Sequence, residues 1–110
     1  MLDKFRSYQL ALKLYSQCKE IKLPYSLKDQ LTRASSSVVL NLAEGSAKPT
    51  VRDRQRFYAI ALASLREVQA LIEMEQLDAL FADADALAAS LYKLCRVRTG
   101  KQAGRQAGRL

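Results

Sequence analysis

Apolar residues recur every three or four positions along most of this chain. Over residues 2–22, Phe5, Tyr8, Leu12 and Tyr15 run beside Ala11, Leu14, Cys18 and Ile21, one wide apolar face that predicts a helix. Leu23-Pro24-Tyr25 ends it, and Ser26 with Asp29 three residues on forms a short capping-box variant that opens a second helix. Leu27, Leu31, Ala34, Val38 and Leu42 carry that helix to about Gly45, which reads as its C-terminal glycine. Lys48-Pro49-Thr50 is the next break. Thr50 is the expected N-cap, and Asp53 places an acid in the first turn of a third helix over 51–77. Phe57, Ala61, Ser64, Leu65, Val68, Leu71 and Ile72 are its expected inward positions. Residues 78–83 read as a connection, and Leu87, Leu91, Leu94 and Cys95 mark a fourth helix ending near Thr99-Gly100. No segment alternates with period two. The pattern predicts an all-α fold, an antiparallel up-and-down four-helix bundle over 1–99.

Residues 100–110, KQAGRQAGRL after Gly100, repeat QAGR in tandem and offer only alanine and a final leucine as apolar groups. Such a segment cannot offset its ordering entropy, so a disordered basic tail is expected. The tail also changes how the net charge of +7 is read. Residues 1–92 hold twelve Lys/Arg and eleven Asp/Glu, whereas 93–110 hold six basic residues and no acid. The body is nearly neutral, and the basic character is mainly C-terminal. A tail of this kind suits phosphate backbones and also aids solubility.

The chain has no histidine, which removes His-based triads, His-ligated haem or zinc and Glu-x-x-His di-iron sites. Cys18 and Cys95 stand far apart, outside metal or CxxC spacing, and read as small core hydrophobes. The longest uncharged run, residues 34–43, is ten residues with three serines, too short to span a bilayer. MLDKFR lacks an apolar signal core, so a cytoplasmic location without a membrane is the expectation. No cofactor and no enzymatic activity are expected.

One polar constellation exceeds what a core requires. On a helical wheel Gln30, Arg33, Ser37, Asn41 and Glu44 fall within roughly 80° of one another, beside the apolar stripe of the second helix. Glu67, next to Ser64, holds the matching edge of the third helix. The stripe is either a solvated face or a hydrogen-bonded seam between helices or subunits. In the second case Arg33 would pair with Glu44 or Glu67, and Ser37 and Asn41 would take up the remaining donors and acceptors.

These residues also carry a resemblance. Gln30, Arg33-Ala34, Ser37, Asn41, Ala43-Glu44-Gly45, Phe57, Ala61, Ser64 and Glu67 stand in a pattern similar to the bacterial 23S rRNA intervening-sequence protein family. Phe5, Ala11 and Leu14 ahead of Leu23-Pro24 fit it too. The accessory variability determinant of diversity-generating retroelements shares that fold family. The resemblance implies a bundle that assembles with itself, as pentamers. In the retroelement members it implies a basic subunit that engages a reverse transcriptase and structured RNA. It favours the seam over the solvated face. The expected function is a non-enzymatic homo-oligomeric binding subunit with RNA as partner. Arg52, Arg54, Arg56 and Arg66 on the third helix and Lys101, Arg105 and Arg109 in the tail are the expected contacts. The alternative is a scaffold that recruits another protein and has no nucleic-acid role.

Overall fold

The computed structural model describes residues 2–97. After a 3₁₀ turn at Leu2–Lys4 come four helices: α1 (Arg6–Glu20), α2 (Tyr25–Ser46), α3 (Val51–Met74) and α4 (Phe81–Val97), with a second 3₁₀ turn at Asp78–Leu80 before the last. Each helix packs on its neighbours in sequence, and α1 closes against α4, so the four form an up-and-down bundle. Among the described residues there is no strand. The expected tail, 100–110, and the expected helix end at Thr99-Gly100 lie outside the described residues.

The core is built from positions that the spacing marked out. Leu14, Leu31, Leu42, Leu65, Leu87 and Leu91 are fully buried, and so are Val38, Val68 and Cys18. Each of these leucines and valines contributes about 1.5–3 kcal/mol of transfer free energy. At Thr50 the expected cap forms, its hydroxyl accepting from the Asp53 amide at 3.1 Å.

Several expectations are corrected. The first helix starts only at Arg6, because the chain enters it through the 3₁₀ turn. Ser26 does not cap α2. Pro24 occupies the cap position with φ −54°, and no side chain bonds the first-turn amides. Lys28 instead reaches back to donate to the Ile21 carbonyl, tying the end of α1 to the start of α2. The third helix stops at Met74 rather than at residue 77. Gln76 takes φ 55°, and its amide and that of Leu77 donate to the Glu73 and Ile72 carbonyls, a Schellman closure built on a non-glycine residue. The span expected as a connection, 78–83, is already helical, with Leu80 buried and α4 starting at Phe81. On α3 the buried aromatic is Tyr58, not Phe57. Its ring meets that of Phe5 at 6.0 Å, while Phe57 and Ser64 are half-buried at the edge.

Gly45 is the most informative correction. It lies inside α2, buried and without positive φ, so it is no C-terminal cap. A Cβ there would stand 2.7 Å from Tyr58 Cε1 and 2.9 Å from Phe57 Cβ. Glycine is required because the Phe57 Cβ and the Tyr58 ring of α3 already occupy the space that a side chain would need.

Candidate functional site

The polar stripe of α2 is in part a seam between helices. Ser37 Oγ and Ser64 Oγ lie 2.7 Å apart across the α2–α3 interface. Asn41 Nδ2 donates to the Ser37 carbonyl at 2.8 Å and to its hydroxyl at 3.1 Å, which extends the bond into an Asn–Ser–Ser relay. Gln30, Arg33, Ser37, Ser64 and Glu67 surround one surface recess of about 290 Å³. The structure thus brings four of the six sequence-singled residues to one place, with Asn41 adjoining them.

Glu44 stands apart, and the expected cross-pairing of Arg33 does not form. Arg33 Nε pairs with Asp29 Oδ2 at 3.2 Å, one turn back on its own helix, and Lys48 Nζ holds Glu44 Oε2 at 3.2 Å in the same i,i+4 relation. The reason is rise along the axis. Arg33 and Glu44 share a face but are separated by eleven residues, or about 16 Å of helix. Gln30 and Glu67 make no side-chain hydrogen bond or ion pair among the described residues. They line the recess with unused donors and acceptors. Two exposed apolar residues continue this face. Leu40, three residues past Ser37, is 65% exposed, and Ile60, four before Ser64, is 41% exposed.

The arginines of α3 separate into two kinds. Arg52, Arg56 and Arg66 fall within roughly 80° of each other on the outer side of α3, and all three are exposed. None meets a carboxylate among the described residues. Arg52 has no partner there, Arg56 stacks over the Phe57 ring at 4.7 Å, and Arg66 Nη1 donates to Gln69 Oε1 at 2.7 Å. Arg54 instead turns toward the α2–α3 link. Its Nη1 donates to the Lys48 carbonyl at 2.9 Å and the Pro49 carbonyl at 3.3 Å, holding the α2–α3 link. Lys101, Arg105 and Arg109 lie outside the described residues.

Sequence reasoning missed Lys48. Its ammonium sits 5.0 Å from the centre of the Phe57 ring, on which Arg56 also stacks. The signal was there in the Glu44/Lys48 spacing. The thiols are not activated. Burial pushes Cys18 up despite its hydrogen bond with Ser35 and the charge of Lys28, and burial likewise raises Cys95. Among the described residues no three His, Cys, Asp or Glu side chains gather as a metal site. No helix among the described residues is long and apolar enough to cross a membrane.

A four-helix bundle whose middle helices cross at a glycine and are laced by a serine–asparagine relay is the class that fold and site define. Residues 4–97 match the family model of the 23S rRNA-intervening sequence protein, and the chain belongs to that family. No curated protein matches it.

Proposed function

We propose that the protein is a non-enzymatic, homo-oligomeric binding subunit that engages RNA in the cytoplasm. The observation that carries the RNA reading is the outer face of α3. Arg52, Arg56 and Arg66 stand there without a carboxylate partner, separated by Ala59 and Ala63. Three arginines without an ion-pair partner on one helix face suit the repeating charge of a phosphate backbone, and Lys101, Arg105 and Arg109 extend that charge in sequence.

The proposed assembly is a pentamer, and the α2–α3 face supports self-association as such. A recess with unused Gln30 and Glu67 groups beside exposed Leu40 and Ile60 is a mixed polar and apolar surface of the sort that a second copy covers. Kinship with the retroelement accessory subunit, and a reverse transcriptase as a further partner, belong to the same reading. Several copies would multiply weak contacts into useful affinity.

The test is size-exclusion chromatography with light scattering on protein purified without nuclease, reading absorbance at 260 and 280 nm. The expected result is a mass about five times the 12.3 kDa chain with a high 260/280 ratio that added salt lowers. A monomer free of nucleic acid refutes the proposal. An oligomer that carries no nucleic acid and binds none in low salt replaces RNA with a protein partner.

A further inference from the structure

On the side of the bundle away from the α2–α3 seam, Ser7 of α1 and Ser90 of α4 touch at 2.6 Å. They line a groove of about 530 Å³ between the two helices, and Ser7 is only 3% exposed. The pair owns two hydroxyl protons and spends one on its mutual bond. Among the described residues no acceptor takes the other. Arg6 and Lys93 line the same groove, and both are exposed. Neither has a hydrogen-bond or ion-pair partner in its side chain among the described residues. No carboxylate of the described residues lines it. Ala86 and Ala89 form its α4 wall, so a compact group can enter without displacing a long side chain.

Two uncompensated cations and one spare hydroxyl donor make a set that lacks only an acceptor. A phosphate group fits it best, because its oxygens point in several directions. One can meet the fork of Arg6, another the point charge of Lys93, and a third the serine pair. The geometry points to the α1–α4 groove as a phosphate subsite that holds one phosphodiester of an RNA strand between Arg6 and Lys93. That the phosphate belongs to RNA rests on the function proposed above. That the groove takes phosphate does not. The described helix ends at Val97, one turn beyond Lys93, and the sequence goes on with Arg98, Lys101, Arg105 and Arg109.

The full-length chain is titrated with inorganic phosphate against chloride at constant ionic strength, and backbone amides are followed by NMR. Saturable shifts at Ser7, Ser90 and Lys93 are expected. They should vanish in the Arg6→Gln/Lys93→Gln double variant, whose melting temperature should stay at the wild-type value because both side chains are exposed. Wild-type protein without such shifts, or a double variant that keeps them, overturns the subsite. A labelled single-stranded oligoribonucleotide of about 12 nucleotides then identifies the source of the phosphate. Its affinity should fall with salt less steeply in the double variant, by about 0.7 in the log–log slope for one lost contact. An unchanged slope beside intact phosphate shifts overturns the RNA half and leaves a site for free phosphate. If the wild type binds no oligoribonucleotide, the proposed function falls while the phosphate shifts still decide the subsite.

Discussion

Two serine pairs close this bundle on opposite sides, at nearly equal distances of 2.7 Å for Ser37–Ser64 and 2.6 Å for Ser7–Ser90. Their surroundings differ. Around the α2–α3 pair Asn41 adds a donor and the charge of Arg33 is matched on its own helix, while two turns further along α2 Gly45 packs directly against Phe57 and Tyr58. Around the α1–α4 pair the neighbouring cations are unmatched and alanines leave a groove. The same hydroxyl contact therefore borders a recess that holds a carboxylate, Glu67, in one place and a groove lined by cations and by no carboxylate of the described residues in the other. A hydrogen bond says little about function until the groups around it have been counted.

Filling the two joints is the strongest way to break this comparison. Gly45→Val should cost about 3 kcal/mol or more, since even a Cβ meets Phe57 Cβ and Tyr58 at under 3 Å. Ala86→Val in the open groove should cost no more than about 1 kcal/mol, mostly helix propensity. Urea melts of both variants check this, and equal losses would mean the two joints are packed alike.

Removing one hydroxyl from each pair comes next. Ser90→Ala leaves the buried Ser7 hydroxyl without its partner and should cost about 1–3 kcal/mol. Ser37→Ala frees Ser64 and Asn41, which are only half-buried and can turn to water, so about 0.5–1.5 kcal/mol is expected. The reverse order in thermal denaturation would show that the α2–α3 relay is the more demanding of the two.

Alkaline titration tests whether burial is shared by the whole bundle. Cys18, Cys95 and Tyr58 are all raised by burial, from ordinary values of 9.0 for the thiols and 10.0 for the phenol. Above about pH 9 the unfolded chain therefore binds fewer protons than the folded one, and stability falls as pH rises, whereas below it this contribution is constant. Under reducing conditions the urea midpoint should drop as pH rises above about 9, and less so in Cys18→Ala. A flat profile would mean these groups ionise as freely folded as unfolded.

The smallest effect is a gain. Gln76→Gly relieves a left-handed residue at the end of α3 and should add up to about 1 kcal/mol, with no change at either serine pair.

The sequence showed the bundle more clearly than its joints. Threes and fours in apolar spacing report burial, so Leu31, Leu42, Leu65 and Leu91 were legible one by one. The N-cap at Thr50 was legible because a hydroxyl at a break has one obvious use. The pairing of Arg33 was not, because a wheel projects out the helix axis and hides the 16 or so ångströms that separate it from Glu44. Gly45 misled for a similar reason. Glycine near a helix end signals a cap when only local geometry is considered, but here its role is set by a neighbouring helix. The Ser7–Ser90 groove was invisible, since its members lie 83 residues apart and neither serine breaks a pattern.

The stitching of the α2–α3 link has a kinetic consequence. Thr50 caps α3, Arg54 grips the carbonyls of Lys48 and Pro49, and Lys48 bridges Glu44 and Phe57, all within a few residues of the turn. Contacts this local are cheap to close, whereas joining α1 to α4 must bring together the two ends of the described chain. On this ground the central hairpin is expected to form in the folding transition state and the α1–α4 groove to close after it. Substitutions at the hairpin turn should slow refolding, and those at Ser7 or Ser90 should mainly hasten unfolding. Amide hydrogen exchange should accordingly show the α1–α4 groove opening before the α2–α3 hairpin.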